Sequence, residues 1–458
     1  MKIDNIKVNK ILDSRGEWTI EVEVESEGIK EKASIPSGKS VSSHEVVCLD
    51  CDKIEKNLDE FLRDIKDKDF KGLQELDYFL IERAGKNKEI LGGNFTLGVS
   101  IAFGRILAKN KNLELFEYLN SESTRIGNES TRIGNESTRI GNESTRMDKN
   151  EFARIPGLVI NIIGGGVHSF NNLDFQEYWL VTQKSTELTQ NSQNKTELTR
   201  NSQKNSESSA SSASVLYSSA SLEILIAEII NIINQIEKKL PRPLGRNDEG
   251  AFCTNFSDNY EPFLYLSNIR ANSSPKIREN SSSNIRTNSS PKIRENLFFE
   301  LGADIAANQI TKLVNWKNIY RKLKLLDVKY LEDPFKEDEF EKFAELRKEG
   351  FKVIGDDLTA TNIERLKIAL EKNSIDGVIV KPNQIGTITE TFNFVKLAKE
   401  NNLFTIFSHR SGETNDHWII DIGIAFDADY FKIGVPLQGE RVTKYNRLLE
   451  IFSKIFRK

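Results

Sequence analysis

The 458-residue sequence has few cysteines, no long hydrophobic run and almost no net charge. Its three cysteines cannot form a framework of disulfides, so we expect reduced thiols in a reducing compartment. No run approaches the ~20 apolar residues that cross a bilayer, and residues 1–10 lack a signal-peptide core, which predicts a soluble, cytoplasmic protein without a membrane partner. Its 64 basic and 68 acidic residues nearly cancel, so we expect no nucleic-acid partner either.

The cysteines leave one alternative open, a metal site. Cys48 and Cys51 form a single C-x-x-C pair with His44 upstream, whereas Cys253 is far away in the sequence. Structural zinc sites usually combine two such pairs. We therefore favour free thiols over zinc ligands.

Three polar, repetitive segments interrupt the chain at 121–146, 182–214 and 267–296. The first repeats ESTRIGN, the second carries TELTxNSQ twice, and the third carries NIRxNSSPKIREN twice. Such segments bury too little apolar surface to offset the entropy of ordering, so we expect disordered surface loops, with partner binding as the alternative. The predicted organisation is an N-terminal domain (1–120), a repeat-rich linker (121–148) and a second domain (149–458) that contains the two later segments.

The two domains have different secondary-structure patterns. Residues 18–26 alternate apolar and acidic side chains, which predicts a half-buried strand, while 52–65 and 94–110 have helical spacing, so the first domain should be α+β. After residue 299, short apolar runs alternate with amphipathic stretches, which indicates parallel strands covered by helices. The predicted strands are 327–331, 351–355, 376–380, 403–407 and 428–431, and the predicted helices are 337–348, 361–371, 386–399 and 440–455.

An ionisable residue follows each predicted strand of the second domain, at spacings of 23–28 residues. In a closed barrel of βα units, residues that end successive strands converge on one mouth, where barrel active sites lie. A charge on a solvated loop could explain any one of these residues, but not all six in register. The six residues are Asp304, Glu332, Asp356, Lys381, His409 and Lys432.

The residue types at this mouth indicate a reaction class. Three carboxylates in a small volume require neutralisation, and an all-oxygen site suits Mg²⁺. Lys381, Lys432 and Arg410 face them, which indicates an anionic substrate. A lysine beside a divalent cation and a second lysine should be pushed toward its neutral form, as a general base must be. The pattern therefore predicts proton abstraction next to a carboxylate.

The chain resembles the enolase family, the phosphopyruvate hydratases. The resemblance implies a divergent member with low-complexity insertions. The matching stretches are ILDSRGEWTIEVEV (11–24), IPSGKSVSSHE (35–45), NIIGGGVHSFNNLDFQEY (161–178), NDEGAF (247–252), LEDPF (331–335), GDDLTATN (355–362), VKPNQIGTITET (380–391), SHRSGETND (408–416) and FKIGVPLQGERVTKYNRLLEI (431–451). The resemblance implies an α+β capping domain followed by an α/β, TIM-like eightfold barrel whose first units depart from simple βα order. It also implies dehydration of 2-phosphoglycerate to phosphoenolpyruvate, usually in a homodimer.

The resemblance also implies catalytic roles. Lys381 matches the base that removes the C2 proton, in a superfamily known to pair a lysine or histidine base with Mg²⁺. Glu249 matches the acid that helps the C3 hydroxyl leave, assisted by Glu177. His168 and His409 match residues that line the site.

Further positions match residues that bind metal and substrate. Two Mg²⁺ ions per site are implied. Asp304, Glu332 and Asp356 match the ligands of one, and Ser40, on a closing loop, matches a ligand of the other. Arg410 and Ser411 match a phosphate-binding pair, and Lys432 matches a contact to the substrate carboxylate.

Some loop positions depart from the family pattern. The family's S-G-A-S-T-G loop has Lys39, Val41 and Ser42 in place of Ala, Thr and Gly, and Phe170 replaces a glycine in a second loop. Two other functions therefore stay open beside a working enolase. One is a related acid-sugar dehydratase, and the other is a catalytically weak paralogue that acts as an interaction protein.

Overall fold

A computed structural model describes residues 1–39, 41–123, 155–182, 219–241, 243–273, 299–312 and 315–457. Ser40 and nearly all of the three repetitive segments lie outside these residues. The first residues of all three segments belong to described elements. Residues 121–123 continue a helix that begins at 115, Thr182 ends the strand Glu177–Thr182, and 267–273 belong to the helix Glu261–Ser273. In these places polar composition hid residues that extend an existing element.

The N-terminal part combines an antiparallel sheet with helices. Its strands are β1 (Asn5–Leu12), β2 (Trp18–Ser26) and β3 (Ile29–Ile35), hydrogen-bonded in that order. Ile20, Val22 and Val24 of β2 are buried, as their alternation predicts. The helices Cys51–Ile65, Leu73–Ala84 and Gly93–Asn110 precede the helix that begins at 115. A Cβ at Gly98 would lie 2.4 Å from Val22 Cγ2, so only glycine lets the helix Gly93–Asn110 approach the sheet this closely.

The rest of the described chain forms a closed barrel of eight strands. The chain first forms β4 (Gly157–Gly164) and β5 (Glu177–Thr182), and then a short hairpin of β6 (Gly245–Arg246) and β7 (Phe252–Cys253) beside β4. The barrel continues with β8 (Phe299–Asp304), β9 (Val328–Glu332), β10 (Lys352–Gly355), β11 (Gly377–Val380), β12 (Phe404–Ser408) and β13 (Tyr430–Lys432). Pairing of β13 with β4 closes it. The α+β and barrel fold class predicted from the sequence is confirmed, including an irregular start, because β5 runs antiparallel to both neighbours.

Helices cover the barrel where the amphipathic pattern predicts them. Asn362 and Thr387 cap two of these helices by accepting hydrogen bonds from backbone N–H groups of the first turn. All four helices predicted after residue 299 are confirmed, with ends that move by no more than three residues. The helices are Ser219–Lys239, Glu261–Ser273, Trp316–Leu325, Phe340–Lys348, Ile363–Glu371, Ile388–Glu400, Trp418–Ala425 and Gly439–Arg457.

Large apolar side chains fill the barrel interior. Trp179, Tyr330 and Tyr430 point inward from β5, β9 and β13 and pack with aliphatic side chains from the other strands. Gly302 makes room for them, since a Cβ there would lie 2.9 Å from both Trp179 and Tyr330. The barrel is therefore a packed core, and its open end is left for chemistry.

Polar contacts join the N-terminal part to the barrel. Arg105 Nη2 donates to Asp416 Oδ1 at 2.6 Å, and Arg447 Nη2 donates to Glu114 Oε2 at 2.9 Å. Buried Asp77 accepts a hydrogen bond from the backbone N–H of Thr389 at 2.8 Å. The two parts thus share an extensive interface. Among the described residues, every helix is too short or too polar to pass through a bilayer.

Candidate active site

The barrel brings the predicted strand-end residues together at one mouth. Asp304, Glu332 and Lys432 are the last residues of their strands, whereas Asp356, Lys381 and His409 come directly after theirs. The expectation that all six follow a strand was thus wrong by one position for three of them. Ten of the twelve predicted site residues line one cavity at this mouth. Glu332 is not among the lining residues, and Ser40 lies outside the described part of the chain.

Lys432 lies at the centre of a group of carboxylates. Its Nζ lies 2.9 Å from Glu332 Oε2, 3.0 Å from Glu177 Oε2 and 3.6 Å from Asp304 Oδ2. Both oxygens of Glu332 accept hydrogen bonds from this ammonium group. Burial opposes the charged form, yet these carboxylates raise the pKa of Lys432 well above its usual value. Lys432 is therefore a permanent cation.

Lys381 forms an ion pair with the buried carboxylate of Asp356. Burial alone would lower the pKa of Lys381, but Asp356 outweighs burial and raises it. This differs from the predicted shift toward the neutral form, because the sequence argument placed Lys381 beside cations and did not foresee its contact with Asp356. Gln384 Nε2 donates to the second oxygen of Asp356 at 3.3 Å. The pair is thus held from two sides.

Two carboxylates that the sequence argument missed lie beside Asp356. Asp333 accepts hydrogen bonds from the backbone N–H groups of Asp356 at 3.0 Å and Asp357 at 2.7 Å. Ligand atoms of Asp333, Asp356 and Asp357 lie within 4.8 Å of one another, a spacing that could hold a metal ion. Each missed residue adjoins a predicted one, in LEDPF and GDDL, and these doubled acids were the available signal.

Glu249 and two histidines form another wall of the cavity. Glu249 Oε1 lies 3.8 Å from His168 Nδ1, and its Oε2 lies 3.7 Å from His409 Nε2. Burial lowers the pKa of His168 and lowers that of His409 well below the usual range, so both rings are neutral. Within the described residues, no ring nitrogen of either histidine has a hydrogen-bond partner. Buried polar atoms of this kind are suited to a bound ligand.

Glu177 lies between this wall and Lys432. Burial and the nearby charge of Glu249 raise its pKa to about 7, so it can hold or release a proton near neutrality. Trp179, two residues along β5, donates its indole N–H to Glu177 Oε2 at 2.6 Å. Nothing in the sequence pattern assigned Trp179 to the site, because a tryptophan in a buried strand is usually a core residue.

The opposite side of the cavity carries Arg410 and Ser411, and residues from the N-terminal part hold both. Glu45 accepts two hydrogen bonds from the Arg410 guanidinium, at 2.9 and 3.1 Å. Ser411 Oγ accepts from Arg15 Nη1 at 3.2 Å and from the backbone N–H of Lys39 at 2.9 Å. A Cβ at Gly38 would lie 1.8 Å from Arg410 Nη2, so a larger residue there would displace the guanidinium. The sequence argument missed Glu45, although it ends the IPSGKSVSSHE stretch.

The donor set fits a divalent cation. The described cavity region holds more buried carboxylates than cations, and burial raises the pKa of Asp304 to about 6 and that of Glu332 well above its usual value. Raised pKa values of this kind mean that burial disfavours the ionised carboxylates, an effect that a bound cation would oppose. All the donors are oxygen atoms, which hard cations such as Mg²⁺ prefer.

The alternative metal site at the C-x-x-C pair gains no support. Cys48 is exposed, Cys51 is buried, and all three cysteines are free thiols. His44 instead lies beside Glu337 and Asp338, but the guanidinium of Arg365 is 2.7 Å from His44 Nε2 and 3.0 Å from Asp338 Oδ1. A cation is thus already present in that cluster.

Comparison with known proteins identifies the family. Residues 3–119 match the enolase N-terminal domain, and residues 294–457 match the enolase C-terminal TIM barrel domain. The chain is 32% identical to the enolase of Sulfurisphaera tokodaii, over 98% of this chain and 95% of that protein. The chain belongs to the enolase family. Enolases of Ehrlichia ruminantium (strain Welgevonden) and Saccharolobus solfataricus are each 31% identical to it, over at least 96% of each protein. Membership of the enolase family makes it a lyase of the phosphopyruvate hydratase class and implies a divalent metal cofactor.

Proposed function

We propose that this enolase catalyses the reversible, Mg²⁺-dependent dehydration of 2-phosphoglycerate to phosphoenolpyruvate in glycolysis and gluconeogenesis. One observation carries the proposal. A single cavity combines two lysines, an excess of carboxylates, two neutral histidines whose ring nitrogens have no hydrogen-bond partner among the described residues, and an arginine–serine pair. This set offers a place for a base, a divalent cation and a phosphate group at once. We also propose that the protein is a cytoplasmic homodimer, as family resemblance implies.

Asp304, Glu332 and Asp356 would hold one Mg²⁺, and Ser40 would bind a second. When bound, the metal supplies positive charge that stabilises the additional negative charge on the substrate carboxylate after C2 loses its proton. Asp333 supports this assignment as a positioning residue, because it accepts one hydrogen bond from the backbone N–H of Asp356 and one from that of Asp357. Lys432 would contact the same substrate carboxylate and add a permanent positive charge.

Lys381 would remove the C2 proton through its Nζ. The Asp356 carboxylate now favours the protonated lysine, so release of that contact would lower the pKa of Lys381 toward the range of a base. Glu249 would deliver a proton to the C3 hydroxyl, which then leaves as water. Glu177, with a pKa near the working range, would return a proton to Glu249 after each turnover. One proton is taken at C2 and one is given at C3, so the dehydration balances.

Arg410 and Ser411 would bind the phosphate. The hydrogen bonds from Arg15 and the loop residue Lys39 to Ser411, and those from Arg410 to Glu45, fix both side chains before the substrate arrives. Such preorganisation reduces the entropy lost on binding. His168 and His409 would donate or accept at the substrate through their unpartnered ring nitrogens. A substrate with both phosphate and carboxylate satisfies this set better than an unphosphorylated sugar acid.

Formation of phosphoenolpyruvate from 2-phosphoglycerate tests the proposal directly, through the ultraviolet absorbance of the enol ester. We expect activity that EDTA abolishes and added Mg²⁺ restores. Lys381→Ala should eliminate turnover but retain substrate binding, because the base acts mainly in the transition state. Lys372→Ala is a matched control, since Lys372 pairs with Glu341 on the surface at 3.1 Å and should leave turnover unchanged.

Two results would contradict the proposal. No product from the wild-type chain would favour a weak paralogue, and turnover of unphosphorylated sugar acids alone would favour an acid-sugar dehydratase. Normal turnover by Lys381→Ala would remove Lys381 from the mechanism.

A further inference from the structure

The cations that the proposed mechanism uses already have buried carboxylate partners. Lys432 contacts Glu177 and Glu332, and Lys381 contacts Asp356. Arg410 is held by Glu45. Separating a buried ion pair is costly because each charge is left without water or partner. An entering anion with a phosphate and a carboxylate therefore gains most binding free energy from a cation whose present carboxylate partner is displaced at little cost.

Lys39 is such a cation. Its Nζ lies 3.7 Å from Asp248 Oδ2, and the two side chains are 43% and 31% exposed. This distance exceeds that of a hydrogen bond, and exposed pairs of this kind contribute little to stability. Loss of the contact with Asp248 would therefore cost little, because water can solvate both groups.

Lys39 also lies where an anion must arrive. Its backbone N–H donates to Ser411 Oγ, and the preceding Gly38 lies against the Arg410 guanidinium. Its side chain reaches Asp248, the neighbour of Glu249, which lines the cavity. Lys39 thus spans from the phosphate-binding pair to the turn that carries the candidate acid.

We propose that Lys39 is a further substrate-binding residue, whose ammonium group exchanges Asp248 for the phosphate of the entering substrate. Asp248 competes with the substrate for Lys39 and holds its side chain across the mouth between turnovers. The inference rests on the proposed function, since it takes the anion to be a phosphomonoester. Lys39 then complements Arg410 and Ser411 from the solvent side.

Kinetics of Lys39 and Asp248 variants with 2-phosphoglycerate test this exchange. Lys39→Met should raise KM by about fivefold with little change in kcat, as expected for loss of one partly exposed charged hydrogen bond. Lys39→Arg should restore most of the affinity, and the dependence of kcat/KM on salt should be weaker in Lys39→Met. Asp248→Asn should lower KM, because it removes the competing carboxylate. Lys30→Met is the control, since Lys30 pairs with Glu25 at 3.1 Å on the N-terminal sheet, away from the mouth.

Two outcomes would overturn the inference. One is an unchanged KM in Lys39→Met. The other is a higher KM in Asp248→Asn, which would mean that the ion pair holds the loop in place and does not exchange. Inorganic phosphate, titrated by calorimetry against the same variants, separates this inference from the proposed function. If the wild-type chain forms no phosphoenolpyruvate, weaker phosphate binding by Lys39→Met would still support Lys39 as an anion ligand, and equal binding would refute it.

Discussion

At the scale of single residues, Asp77 shows how burial sets a pH dependence away from the active site. It is fully buried between the helix Leu73–Ala84 and the helix Ile388–Glu400. Burial raises its pKa to about 7, whereas an aspartate in an unfolded chain titrates near ~3.9. Between these values the folded state binds a proton that the unfolded state lacks. The stability that this bound proton contributes is therefore fully present below the pKa of the unfolded chain. It is lost as the pH rises through the pKa of Asp77 in the folded protein.

We predict that Asp77→Asn stabilises the protein above neutrality. The amide keeps an oxygen for the Thr389 N–H and carries no charge, so it avoids a penalty that can reach about 4 kcal/mol in the wild-type chain at high pH. Urea unfolding should show a clear gain near pH 8 and a smaller one near pH 5. Asp59→Asn, at an exposed position of the helix Cys51–Ile65, is the control and should change stability little at either pH. An equal gain at both pH values would contradict the argument.

At the scale of elements, β5 links the packed barrel interior to the chemistry at the mouth. Glu177 and Trp179 lie two residues apart on this strand, so both side chains point to the same face. Trp179 fills the interior, donates its indole N–H to Glu177 and lies with its ring 4.6 Å from Lys432 Nζ. The strand thus fixes the position of Glu177, the proposed proton carrier, through the core side chain of Trp179.

Trp179→Phe should therefore slow turnover while largely preserving the core. Loss of the hydrogen bond to a carboxylate should reduce kcat by about tenfold and destabilise the protein by about 1 kcal/mol. Trp418→Phe is the matched control, since its indole N–H donates to the backbone oxygen of Ser34 at 3.0 Å, outside the cavity. It should cost similar stability in thermal unfolding but leave kcat unchanged. Equal kcat in both variants would show that the hydrogen bond from Trp179 does not contribute to turnover.

The sequence predicts secondary-structure elements better than it predicts which distant side chains contact each other. The period of strand-end residues from Asp304 to Lys432 reflects a repeated unit, so the barrel and its mouth could be predicted. The antiparallel direction of β5 could not, because an apolar run is the same in either direction. Glu45 was missed as a partner of Arg410 because the two are 365 positions apart, and only the fold brings them together. The roles given to the site residues stay predictions.

At the scale of the whole molecule, contacts that do not involve the repetitive segments hold the two parts together. Thr96 Oγ1 donates to the backbone oxygen of Gly386 at 2.7 Å, and the pairs Arg105–Asp416 and Arg447–Glu114 lie elsewhere in the same interface. Docking of the N-terminal part on the barrel therefore needs only a connection of sufficient length between residue 123 and β4.

Removal of residues 124–146 should accordingly preserve the enzyme. The polar repeat contributes little apolar surface, and loop closure depends only weakly on loop length, so we expect kcat/KM to stay within about threefold of the wild-type value. Steady-state kinetics and thermal unfolding check this, with a scrambled repeat of the same composition as control. Loss of folded protein in the deletion variant, but not in the scrambled one, would show that the segment has a structural role.

The hydrogen bonds that Arg15 and Lys39 make to Ser411 also constrain how such a protein can evolve. The barrel carries the acidic groups, but the anion-binding corner is finished by side chains and backbone from the other domain. Recombination that joined this barrel to a foreign N-terminal domain would keep the acidic residues but lose the hydrogen bonds that hold the anion-binding residues. The two halves of the gene are therefore expected to be inherited together, and compensating substitutions should accumulate on both sides of the domain interface.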